Sequence, residues 1–195
     1  MMAVTGPAGS TAQPSGSAAW PVFGGLAAIV LIADQLAKTW VDASFALASP
    51  FAAAGTPEAP TPVIGDLVRI AKSYNDGGIF GIAGDSAPVL AAASMGVIAV
   101  IVLVQARQGR HDPLLTVALG LLLGGALGNL IDRLRFGHVV DFVDMGIGDQ
   151  RWYTWNIADA AISIAIVLLL IHGLFGHRLG RLTAVGRGPA ADREA

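Results

Sequence analysis

The chain has no cysteine. That absence removes disulfides, thiolate catalysis and cysteine-ligated zinc together. Charge is scarce as well: 13% of the 195 residues are Asp, Glu, Lys or Arg, against roughly 25% in soluble domains. Lysine occurs only at Lys38 and Lys72, so any mechanism built on a lysine has to use one of these. Signs nearly balance, with a formal net charge of −2, and the basic footprint of a nucleic-acid-binding protein is missing. What is present is apolar: 54% hydrophobic residues and a mean hydropathy of +0.63. Such a composition points to lipid as the solvent.

Four apolar stretches have the roughly 20 residues that a helix needs to cross a bilayer. They lie at about 21–43, 87–106, 113–131 and 153–175, so the expected fold class is an all-α membrane protein of four transmembrane helices in one domain, 20–176. The first stretch follows small residues, as a signal peptide does. Nothing basic precedes it, however, and Asp34 and Lys38 follow within it at helical spacing, so it reads as a retained helix. Residues 1–19 carry no charge and are rich in Gly, Ser, Ala, Thr and Pro, which predicts a disordered tail.

Basic residues set the expected orientation. Arg107 and Arg110 flank the short second connection, and Arg178, Arg181, Arg187 and Arg193 mark a basic tail at 177–195. Placed in the cytoplasm, they put both termini inside and the loops 44–86 and 132–152 outside. Trp40, Trp152 and Trp155 then fall at span ends on the outer side, where interfacial aromatics belong. Within the first outer loop, residues 44–62 read as irregular. Val63 to Tyr74 alternates like a strand, and the NDGG turn offers the following IFGI as a hairpin partner.

A charged or amide side chain in a spanning helix costs about 2.5–3.5 kcal/mol, so such residues are functional candidates by default. Here they gather at one end of the spans. Asp34 and Lys38 lie at the outer end of the first, Asn129, Asp132 and Arg133 at the outer end of the third, and Asn156 and Asp159 at the outer start of the fourth. Asp141 sits in the loop between the last two. Gly125, Asn129 and Arg133 share a helix face, as do Asn156 and Asp159, and Gly124, Gly125 and Gly128 permit close helix approach.

Bland readings compete with each of these. Asp34 and Lys38 fit a structural ion pair, Asn129 and Arg133 fit interhelical bonding, and Asp159 fits a first-turn carboxylate at a helix N-terminus. From the residues alone, Asp141 with Asp159 is one working pair among several, and Asp144 competes with Asp141. His138 has no paired histidine and reads as a solvated loop residue. Gly146 to Asp149 spell GxGD, a pattern of intramembrane aspartyl proteases, but in a polar loop the pattern reads as a turn. A proton-coupled transporter, a scaffold and a serine–lysine peptidase remain open at this point.

The segments DQLAK at 34–38, NDGGIF at 75–80, GGALGNLIDRLRFGHVVDFVD at 124–144 and WNIADAA at 155–161 resemble the lipoprotein signal peptidases, or signal peptidase II. The resemblance covers about residues 30–172. It implies that Asp141 and Asp159 are a catalytic dyad and that Asn129, Arg133, Asn156 and Ala158 line the site. It also implies that Asp34, Lys38, Asn75, Gly77 and Gly125 shape the substrate site. The chain departs from the family at Gly78, Ile79 and Ala160, and in its longer Ala/Pro-rich outer loop.

The implied activity is an aspartic endopeptidase without metal or cofactor. It would cleave diacylglyceryl-modified prolipoproteins just before the lipidated cysteine. The implied setting is a monomer among membrane lipid in the inner membrane, without nucleic acid, its site at the extracytoplasmic face.

Overall fold

Long apolar runs with few helix breakers become four helices among the described residues: α1 (Ala19–Ser44), α2 (Ala87–Ala106), α3 (Pro113–Phe136) and α4 (Ile157–Val185). Each, α4 through Phe175, is long and apolar enough to cross a bilayer. The structure, a computed structural model, describes residues 19–49, 51–77, 87–108 and 112–185, with side chains as far as 175. The expected N-terminal tail, the IFGI strand with Gly78 and Ile79, Arg110 and the basic side chains past 177 lie outside those residues.

Helix α3 is the hub. In its spanning window 56% of residues are buried, against 11% in α2, which leaves α2 mostly facing lipid. Phe23 and Ala27 of α1 pack with Ile101 of α2 and Leu119 and Leu123 of α3. Closer to the polar end, backbone nearly meets backbone. A Cβ on Gly125 would stand 2.5 Å from the Ala158 carbonyl of α4, and one on Gly124 would stand 2.7 Å from the Ala27 carbonyl of α1. Glycine is what admits both neighbours.

Asp112 caps α3 by accepting the Leu115 N–H at 3.0 Å, with Pro113 in the first turn. The helix runs past the expected end near 131 and takes Asp132 and Arg133 into its last turns. It stops at Gly137, whose left-handed φ of 76° turns the chain while its N–H bonds the Arg133 carbonyl. Helix α4 begins later than the expected 153. Residues 153–156 precede it, and Trp155 pairs through its backbone with Val143.

The polar end carries a four-stranded antiparallel sheet in the order β1 (Thr61–Ile64), β2 (Val68–Asn75), β3 (Val139–Ile147) and β4 (Gln150–Arg151). The single strand expected over 63–74 is therefore a hairpin, folded back at 65–67. The partner of β2 is β3, within a segment expected to be loop. Their register sets Ser73 opposite Asp141 and Arg69 opposite Asp144. The GxGD stretch spans the β3–β4 turn.

Candidate active site

Side chains alternate faces along a strand, so Asp141 and Asp144, three apart on β3, point to opposite sides. Asp144 is held by Arg69 at 2.6 and 2.8 Å and by Arg151 at 3.0 Å. Burial works against its charge, but the bonds from Arg151 and Arg69 together hold its carboxyl below the ordinary range. It is a structural tie between strands. Asp141, 2% exposed, meets polar groups of the helix bundle instead.

Asn156 stands just before α4 and Asp159 is its third residue. The Asn156 side-chain carbonyl accepts the Asp159 N–H at 3.0 Å, and Asp159 accepts the Asn156 N–H at 3.3 Å. This reciprocal pair is a capping box, so the first-turn reading of Asp159 holds. It uses only one carboxylate oxygen. The other accepts the Asn129 side-chain N–H from α3 at 2.7 Å. The Asn156 amide meanwhile donates to Asp141 at 2.6 Å. One asparagine thus binds both aspartates, to one through its amide N–H and to the other through cap bonds.

Behind these groups lies a buried charge cluster. The Lys38 ammonium makes three contacts: Asp34 at 2.8 Å, Asp132 at 2.9 Å and the Asn129 side-chain oxygen at 2.9 Å. An ammonium has three protons, so the count is complete. Asp34 accepts the Ala158 N–H at 2.9 Å, and Asp132 accepts the Val140 N–H at 3.2 Å and Gln35 at 2.9 Å. Lys38 thereby clasps α1 to α3, while its two carboxylates fix the start of α4 and the residue before Asp141.

Asn75, at the end of β2, donates to the second Asp141 oxygen at 3.0 Å and accepts the Gly77 N–H at 2.9 Å. Burial raises the Asp141 carboxyl to about 6, with the charge of Asp159 adding to the rise; the bonds from Asn75 and Asn156 oppose it. Arg133 donates to the Asn129 carbonyl at 3.3 Å, and its buried Nε has no partner among the described residues. Asp159, half-buried, opens on a groove of about 1100 Å³ that passes Asn75, Trp152, Tyr153 and Trp155 and continues along α4.

Asp34, Lys38, Asn75, Asn129, Asp141, Asn156 and Asp159 thus form one hydrogen-bonded group. Ala158 and Gly125 meet at the α3–α4 contact beside it. Asp132 and Gln35 were not assigned roles from sequence; their position at the polar ends of spans one and three was the available signal. His138 packs its ring against Tyr74, 4.1 Å between centroids.

A family model described as signal peptidase (SPase) II matches residues 26–175. The lipoprotein signal peptidase of Moorella thermoacetica is 39% identical over 145 residues, 74% of this chain and 87% of that one. That of Burkholderia mallei is 37% identical over 162 residues, covering 81% and 90%. A solved bacterial membrane enzyme, determined by the in meso method at 1.9 Å resolution, superposes with a TM-score of 0.67 at 28% identity, over 76% of this chain and 90% of its own.

Proposed function

Because the chain belongs to the signal peptidase II family, we propose that it is an aspartic endopeptidase in which Asp141 and Asp159 activate water. Its substrates are diacylglyceryl-modified prolipoproteins, cut just before the lipidated cysteine. The observation that carries this reading is Asn156, which binds both carboxylates and makes them one unit.

Two nearby carboxylates share one proton, because both do not ionise easily together. The raised Asp141 carboxyl supports such sharing. The ionised member takes a proton from a water held between the pair, and the water oxygen attacks the scissile carbonyl carbon. The protonated member hydrogen-bonds the carbonyl oxygen. A proton then passes to the leaving nitrogen, the C–N bond breaks, and the pair returns to its starting state. Asn129 and Asn156 hold the carboxylates in place, and Lys38 holds Asn129. No covalent intermediate, metal or cofactor enters these steps.

The polar end of the bundle faces the extracytoplasmic side of the inner membrane, with both termini in the cytoplasm. There the lipid chains of the substrate stay in the bilayer while its peptide reaches Asp159 through the groove. In this reading the working unit is a monomer. The test is incubation of the purified protein with a diacylglyceryl-modified precursor and its unlipidated twin, with products read by mass. Cleavage of the first alone, leaving the modified cysteine at the new N-terminus, is expected. Equal cleavage of both removes the lipid requirement, and cleavage of neither overturns the reading.

A further inference from the structure

From Asp159 the groove continues along α4 past Ala160, Ser163 and Ile164. Ser163 follows Asp159 by four residues and so lies on the same face, one turn further into the membrane. It is the polar side chain that α4 adds to the groove beyond Asp159. Its exposed hydroxyl has no hydrogen bond among the described residues. Ser94 of α2 is the contrast, since its hydroxyl donates to the Leu90 carbonyl one turn back at 2.8 Å. Back-bonding of that kind satisfies a serine in lipid without help from outside.

A peptide presented to Asp159 has to be extended at the scissile bond, since a helix engages the carbonyl that water must attack. Extended backbone at membrane depth needs its polar groups satisfied by the protein around it. Positions four apart on a helix face lie about 5–6 Å from each other, and an extended chain advances about 3.3 Å per residue. Ser163 therefore stands beside the second substrate residue from the cut. It lies on the side that runs deeper into the bilayer, which is the signal-peptide side.

Resting on the peptidase reading above, we propose that Ser163 is a substrate-binding residue. Its hydroxyl donates a hydrogen bond to the backbone carbonyl of the second residue before the cut. Wild type, Ser163→Ala and Ser163→Thr are compared on a lipidated precursor. They are compared again on a semisynthetic precursor in which that carbonyl belongs to an ester, a weaker acceptor.

Ser163→Ala is expected to raise KM about 3–10-fold, the equivalent of one net hydrogen bond, with kcat within about twofold because the contact does not change in the transition state. Ser163→Thr restores KM. The ester raises KM for wild type but not for Ser163→Ala. An unchanged KM in Ser163→Ala, a loss confined to kcat, or an equal ester penalty in both proteins overturns the inference alone. Failure of wild type to cut either precursor overturns the peptidase reading with it.

Discussion

Asp141 and Asp144 stand three residues apart on β3, and the two-residue period of a strand separates their roles. Asp144 sits between Arg69 and Arg151 on the face away from the asparagines. Asp144→Asn should keep most cleavage activity but lower the melting temperature at neutral pH. Its folded carboxyl is held below the unfolded value, so the stability it supplies is present above that value and fades in acid. The gap to wild type should therefore shrink as pH falls, as thermal melts in detergent would reveal. Asp141 has the opposite sign. Its folded carboxyl is raised to about 6, so the folded state holds the proton more tightly and wild type loses stability as pH rises from about 4 to about 6. Asp141→Asn should melt above wild type at neutral pH, by roughly 1–3 kcal/mol in stability, and close to it near the acid end. A melt that does not depend on pH in this way contradicts the assignment. Taken alone, the residues left these two carboxylates competing, because their partners come from β2, β4 and α4 and no local spacing reveals them; only the family resemblance favoured Asp141.

At the scale of elements, the site is held by the way α3 meets α1 and α4. Lys38 joins two buried carboxylates, and removing one partner of a buried pair costs about 3–5 kcal/mol because the remaining charge is uncompensated. Lys38→Met should accordingly unfold α1 from α3 at lower temperature and abolish cleavage, and the melting temperature checks the first part. Gly125→Val meets the Ala158 carbonyl and Ile162. It should push the start of α4 away from Asn129, with loss of cleavage in protein that still inserts into membranes. The four spans were legible because hydropathy reports length directly. The outer ends of the last two helices were not: α3 runs on past 131, Tyr153 and Trp155 read as span although they precede α4, and Asn156 is a cap. Strand β3 was missed for a related reason. Its two aspartates lie three apart, one on each face, which breaks the alternation of apolar and polar residues that marks a half-buried strand.

For the whole molecule, the proposed orientation follows from where the basic residues fall, and the absence of cysteine makes it simple to test. A cysteine introduced at Asp149, in the β3–β4 turn, should react with a membrane-impermeant maleimide in intact spheroplasts. One at Gln108, between α2 and α3, should react only after permeabilisation. The reverse pattern would invert the topology. Membrane class, span number and family were legible in the chain, and the polar residues at one end of the spans pointed to the site. What sequence left out was the wiring between helices, above all Asp132 and Gln35, since a buried ion has to find its partner in three dimensions. In the proposed mechanism two aspartates act as one unit. Release of the signal peptide from a diacylglyceryl-modified precursor, measured side by side for wild type, Asp141→Asn and Asp159→Asn in folded, membrane-inserted protein, tests it most directly. Cleavage by wild type and at least about a thousandfold loss in each variant is the predicted result, because groups that act together fail together. Near wild-type cleavage by either variant would contradict it.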